Sequence, residues 1–315
     1  MRAGSRAIGV ATLAAMLAGC AATRQPTDAV PATDATAHPI AQPHAGTAPP
    51  APCRDETDWN EATGPRHVFG NTWYIGSCGV SALLVATPAG HVVVDAGTAE
   101  YAPRILANLR ALGVDPHEVR RLLSSHEHLD HVGGMAALQA ATGAPLLART
   151  AAVPALRLGR GDRSDPQFDA IPGFAPVANV VALADSGSFV LGGTRFTAHA
   201  QPGHTPGATT WTWDSCENDR CLHVVYADSV SAIADDTYRY SAHPEDLAAF
   251  RGGLDALAAL PCDILLTPHP GASGLWPRLR GEAPMTDEGA CRDYAAAGRR
   301  GLEDRLARER GGASP

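Results

Sequence analysis

Apolar residues fall into three regimes along the chain. Residues 1–19 hold one short apolar run behind two arginines, residues 20–52 contain no aromatic and almost no large aliphatic residue, and from Cys53 onward strand-like and helical spacings take over. Within this last regime Val68 to Ile75, Ala82 to Thr87 and His91 to Asp95 read as strands, the second and third joined across Pro88-Ala89-Gly90. Thr98 then caps a run from Tyr101 to Leu112 in which Ile105, Leu106, Leu109 and Leu112 share one helix face, and Val119 to Leu123 follows as a strand. Met135 to Thr142 and Ala151 to Leu158 predict two more helices around a short strand at Pro145 to Ala148. A Gly/Asp/Pro-rich loop from Gly159 to Pro176 leads back to strands, among them Thr209 to Trp213 and Leu222 to Ala227. Leu247, Phe250, Leu254 and Leu257 mark a helix stripe, Ile264 to Leu266 a last buried strand, and Tyr294 to Arg308 a closing helix. Strands followed by mixed strands and helices, twice over, predict a single α/β domain over 53–315 with two sheets packed together and helices outside. No sequence repeat relates the two halves.

The first two regimes are not part of that domain. Arg2 and Arg6 followed by the apolar run Ala7 to Leu17 predict an export signal too short to span a bilayer. It ends in Leu17-Ala18-Gly19-Cys20, which resembles the bacterial lipobox and implies cleavage after residue 19 with a lipid on Cys20; cleavage near Ala18 or Ala22 is the alternative. Residues 20–52, rich in Pro, Ala and Thr, cannot bury enough surface to offset their ordering entropy and are expected to form a disordered tether. The expected location is the periplasm, with a lipid anchor in the outer membrane of a Gram-negative bacterium.

The remaining six cysteines suit an oxidising compartment. Cys216 and Cys221 flank a four-residue hairpin tip, Cys262 precedes a buried strand and Cys291 opens the closing helix, which leaves Cys53 with Cys78. No Cys-x-x-Cys motif occurs, so a zinc–thiolate cluster is not expected.

Composition removes several chemistries. All 25 basic residues are arginine, so no Schiff-base lysine, P-loop lysine or Ser-x-x-Lys nucleophile exists. A net charge of −8, made more acidic by loss of Arg2 and Arg6, and the absence of a basic stripe argue against a nucleic-acid partner.

The informative stretch is Ser125-His126-Glu127-His128-Leu129-Asp130-His131-Val132-Gly133-Gly134, directly after a predicted strand. Its imidazoles and carboxylate suit zinc. Alternation puts His126 and His128 on one side of an extended segment and sends Glu127 the other way, while a bend at the following glycines would turn Asp130 and His131 toward a second centre. Chance clustering would not supply further ligands, yet His204 in Pro-Gly-His-Thr-Pro-Gly and His269 in Thr-Pro-His-Pro-Gly both occur just past predicted strands. His91, His117, His199, His223 and His243 read as surface or core histidines.

This pattern resembles the metallo-β-lactamase superfamily, and in detail its class B β-lactamases of subclass three. The likeness runs from about Val68 to the end and includes Thr72-Trp73, Val94-Asp95-Ala96-Gly97, Tyr226-Ala227-Asp228-Ser229 and Leu260-Pro261-Cys262-Asp263. The resemblance implies a four-layer αβ/βα sandwich and two zinc ions, one on His126, His128 and His204, the other on Asp130, His131 and His269. It implies hydrolysis of the β-lactam amide by a metal-bridging hydroxide, hence antibiotic resistance, in a monomer whose partner is a small-molecule β-lactam. The three cysteine pairs match those of some subclass members, and Asp95 matches a structural aspartate. Some class B relatives hold the substrate carboxylate with a lysine, which this chain lacks; Ser229 and Ser231 occupy matching positions, with an arginine as the alternative. Asp228 keeps a second reading open, because thioesterases and lactone hydrolases of the superfamily bridge two metals with an aspartate near here. Another dizinc hydrolase of this fold acting on a lactone, thioester or phosphoester, and a non-catalytic zinc-binding lipoprotein, are the competing expectations.

Overall fold

A computed structural model describes residues 53, 54 and 57–311, together with Met1 and Ile40. The chain divides into a unit of residues 1–31 and a unit of residues 32–315, and every element below lies in the second. The export signal, Cys20 and the 20–52 tether lie outside the described residues, apart from Met1 and from Ile40, which is half-buried against the first core cluster.

Seven strands form the first sheet: β1 (Arg66–Phe69), β2 (Thr72–Tyr74), β3 (Leu83–Val85), β4 (His91–Val94), β5 (Val119–Leu123), β6 (Leu146–Arg149) and β7 (Val180–Leu183), in sequential order. The first four pair antiparallel and the last four parallel, so crossovers are needed from β4 onward. Helix α1 (Ala102–Ala111) makes the first, with α2 (Leu129–Val132), α3 (Met135–Thr142) and α4 (Val153–Leu158) following. The second sheet contains β8 (Ser188–Leu191), β9 (Thr194–Ala200), β10 (Thr209–Glu217), β11 (Arg220–Tyr226) and β12 (Ile264–Leu266). These strands are antiparallel except for β12, which lies parallel to β11 after the long helix α5 (Pro244–Ala259). Helices α6 (Leu275–Leu279) and α7 (Ala290–Arg310) complete the chain.

Strand alternation decides the layering. In the first sheet Trp73, Leu84 and Val93 are cross-strand neighbours whose side chains join α1 and α3 in one core cluster, whereas Tyr74, Leu83 and Val94 enter a second cluster with the other sheet. In β11, Val224 and Tyr226 enter that inter-sheet cluster, while Val225 joins Leu265, Phe250, Leu254 and Leu302 in a third, under α5 and α7. Three cores thus separate four layers, helix, sheet, sheet, helix. A one-residue slip in β3 or β11 would send each set to the wrong core, at roughly 1.5–3 kcal/mol for each large apolar side chain exposed.

Three local expectations change. The predicted strand Val68 to Ile75 is two strands, because Gly70 takes φ +53 and turns the chain so close to Cys216 that a Cβ there would lie 2.6 Å from its carbonyl oxygen. The bend after the histidine cluster does not come from glycine torsions, since Gly133 and Gly134 are both right-handed helical. The four-residue helix α2 makes the turn, and Gly134 is there for close approach, with a Cβ 2.4 Å from the Ala96 carbonyl oxygen. Thr98 does not cap α1 as expected: the N-cap is Tyr101, which has no side-chain cap bond, and Thr98 Oγ1 accepts from Tyr101 N in the turn that precedes the helix. The bridges are Cys53–Cys78, Cys216–Cys221 and Cys262–Cys291.

Candidate metal centre

The ends of β4, β5, β9 and β12 deliver the site. After β4, Asp95 takes φ +60, a strained value for a side chain with a Cβ. It is held there by what its buried carboxylate accepts: Oδ1 from Ser125 N at 2.6 Å, Oδ2 from Ser125 Oγ and from the Tyr226 hydroxyl, both at 2.7 Å. Asp95 therefore pins the start of the histidine segment to both sheets. That segment leaves β5 extended, His128 keeping φ −98 and ψ 154, before α2 begins.

His126 and His128 meet His204, which arrives on the loop between β9 and β10; one donor atom from each lies within 4.8 Å of the others. His126, Asp130 and His131 form a second such group that shares His126. His269 falls outside both groups, although its Nε2 is 3.4 Å from Asp130 Oδ2 and its ring packs edge-on against His131 at 5.0 Å. Its Nδ1 faces the Gly79 carbonyl at 3.2 Å. Glu127 points away, as alternation predicts, and binds the incoming loop: its carboxylate accepts from Thr205 Oγ1 at 2.9 Å and from Gly207 N at 2.8 Å, on either side of Pro206. This buried carboxylate thus joins the two histidine-bearing loops, and burial pushes its pKa up.

Each imidazole of the first group has one nitrogen engaged from behind. Asp228 Oδ1 lies 2.8 Å from His126 Nδ1, Asp165 Oδ2 3.1 Å from His128 Nε2, and Ser231 Oγ 3.0 Å from His204 Nδ1. Such partners set tautomer and ring orientation and leave the opposite nitrogen to a metal, although at His204 that nitrogen, Nε2, has Gln167 Nε2 at 3.4 Å. Burial, reinforced by the neighbouring imidazoles, holds His126 well below the usual histidine range and His204 down to about 3, so both are neutral, the form in which histidine ligates. At His131 burial works in the same direction but is outweighed by Asp130 at 3.0 Å and by Asp95, which lift it to about 10; Asp130 is correspondingly driven far down. Neither ring nitrogen of buried His131 makes a well-aligned hydrogen bond among the described residues, although Asp130 Oδ2 and Asp95 Oδ2 stand 3.0 and 3.5 Å from them. Buried polar atoms normally have a partner, and a cation between these groups would supply one to the imidazole. The donor set of imidazoles and one carboxylate, free of thiolate, suits zinc.

Ser229 and Ser231 line a cavity of about 350 Å³ that also reaches His269 and the α7 residues Ala297, Gly298 and Gly301. His199 and His223 are engaged elsewhere, by Thr212 and Asp214. Asp165 was not singled out from the sequence: it sits in the irregular stretch between α4 and β7, where no periodicity marks a buried carboxylate.

Known proteins share this fold. The family model for the metallo-β-lactamase superfamily matches residues 75–224. The crystal structure of the metallo-β-lactamase MIM-1 from Novosphingobium pentaromativorans is 46% identical, with a TM-score of 0.78 over 81% of this chain and 94% of that one. MEM-A1, a subclass B3 metallo-β-lactamase isolated from a soil metagenome library, is 42% identical, with a TM-score of 0.78 over 81% of this chain and 99% of that one. A hydroxyacylglutathione hydrolase of Anaeromyxobacter dehalogenans is 29% identical over 208 residues, and this chain spans 66% of its length. From the four clustered histidines and one carboxylate through the helix-sheet-sheet-helix layering to these solved relatives, the chain belongs to the metallo-β-lactamase superfamily, with subclass B3 enzymes among its structural neighbours.

Proposed function

We propose that this protein is a zinc-dependent β-lactamase that hydrolyses the cyclic amide of β-lactam antibiotics. Two ions are proposed, the first on His126, His128 and His204, the second on Asp130, His131 and His269. Zinc so held supplies Lewis acidity toward a carbonyl oxygen and a nucleophilic water near neutral pH. The protein's own part is to orient the imidazoles through Asp228, Asp165 and Ser231, to keep His126 and His204 neutral by burial, and to receive the substrate in the cavity beside His269. Ser229 and Ser231, on the wall of that cavity, are the proposed partners of the substrate carboxylate.

The observation that carries this reading against a thioester, lactone or phosphoester hydrolase is the position of Asp228. In that alternative an aspartate near 228 bridges two metals. Here its Oδ1 is 2.8 Å from His126 Nδ1, behind the ring, and it belongs to neither ligand group among the described residues. Burial raises its pKa well above the carboxylate range. The export signal and Cys20 support a periplasmic, lipid-anchored enzyme.

A panel of nitrocefin, imipenem, a glutathione thioester and a lactone, each with zinc-loaded and chelator-treated protein, tests the assignment. β-Lactam turnover that disappears with the chelator and returns with zinc is expected. No β-lactam cleavage by zinc-loaded protein overturns it, and turnover of the thioester or lactone alone would replace it with the alternative.

A further inference from the structure

Asp165 presents both carboxylate oxygens to His128 Nε2, at 3.1 and 3.3 Å, from a loop with no strand or helix to hold it. Asp165 Oδ1 accepts from Gln167 N at 2.8 Å within the loop, and one residue from the segment after β11 ties the loop down from outside. Asp235 N donates to the Pro166 carbonyl at 2.7 Å, and Asp235 Oδ2 accepts from Asp169 N at 3.0 Å and from Arg163 Nη2 at 2.5 Å. The loop is therefore gripped at positions 163, 166 and 169, on both sides of Asp165. Arg163 adds a bond to Asp169 Oδ2 and lies over the Phe168 ring at 5.0 Å. The other oxygen of Asp235 anchors its own segment, accepting from Thr237 N, Thr237 Oγ1 and Tyr238 N at 2.8–2.9 Å. Four residues upstream in that segment is Ser231, whose hydroxyl and carbonyl oxygens face His204 Nδ1 at 3.0 and 3.2 Å.

The structure assigns Asp235 as a positioning residue for the first metal centre: it fixes Asp165 against His128 and, through the same segment, Ser231 against His204. The inference rests on the zinc reading above. It requires a carboxylate rather than a residue of similar shape, because five donors converge on its two oxygens. In Asp235→Asn one oxygen becomes an amide NH2, which meets donors on whichever side it faces.

The test measures zinc stoichiometry and affinity, and the cobalt absorption spectrum, in the wild type, Asp235→Asn, Arg163→Gln and Leu109→Ala. Leu109 lies in the first core cluster, so its truncation supplies an unstable protein with the clasp intact. Wild type is expected to take up two ions. In Asp235→Asn one of the two should bind about 10- to 100-fold more weakly, with a changed cobalt spectrum, the range seen when partners behind metal ligands are removed. Arg163→Gln should show a smaller loss of the same ion, and Leu109→Ala a lower melting temperature with wild-type metal binding. Wild-type affinity and spectrum in Asp235→Asn overturn the assignment while leaving the zinc reading intact. If that variant does not fold, the same result in folded Arg163→Gln overturns it. A wild type that binds neither metal overturns the zinc reading and this inference with it.

Discussion

A histidine ligates well when one ring nitrogen is held and the other is left for the metal, and here the holders differ in consequence. Ser229 and Ser231 line the same cavity, but Ser231 also engages His204 Nδ1, whereas among the described residues Ser229 has no such histidine contact. Their alanine variants should therefore separate. Ser229→Ala is expected to raise KM about 2- to 10-fold with kcat nearly unchanged, the signature of one lost hydrogen bond made equally to substrate and transition state. Ser231→Ala should raise KM, lower kcat and weaken one metal ion, because it also frees His204. Steady-state kinetics and metal titration of both variants decide it; an unchanged KM in both would transfer the carboxylate to an arginine. The clustering of the proposed ligands was legible because alternation places His126 and His128 together and Glu127 opposite, a local property of extended chain. Asp165 and Asp235 were not, because their partners lie 37 and 72 residues away along the chain.

At the level of elements, the parallel strands end where the proposed ligands begin. β4 and β5 finish in Asp95 and the 124–128 segment, and a single helical turn, α2, then redirects Asp130 and His131. Periodicity could not find so short a helix, since four residues make one turn and leave no second turn in which the pattern could recur. The closing helix α7 has a mostly polar surface, but Ala295, Leu302 and Leu306 enter the third core, and the bridge Cys262–Cys291 ties its first turn to the approach of β12. That bridge spans 29 residues, for which loop entropy predicts about 3 to 4 kcal/mol. The double variant Cys262→Ser, Cys291→Ser should lose about that much in denaturant unfolding. A loss below about 1 kcal/mol would mean that the helix is docked by its core residues alone.

For the whole molecule, two mixed sheets back to back place the histidine loops of both halves at one edge, so the centre belongs to neither half alone. Residues 1–52 bear on where this catalyst works. If Cys20 is acylated, palmitate fed to expressing cells should label the protein, and Cys20→Ser should abolish the label and release the protein into the soluble periplasmic fraction. Label retained in Cys20→Ser, or none in the wild type, would instead favour cleavage near Ala18 or Ala22. The alternating and helical spacings were sufficient for the layering, because burial of one face is written into each short segment. The clustered histidines, the cysteine positions and the lack of lysine likewise stand in the primary structure. Folding was needed to set Asp228 behind His126, to bring Asp165 to His128, and to close the Asp235 clasp over the loop. Those contacts join loops distant along the chain through individual hydrogen bonds, and no periodicity specifies which distant donor a buried carboxylate will meet.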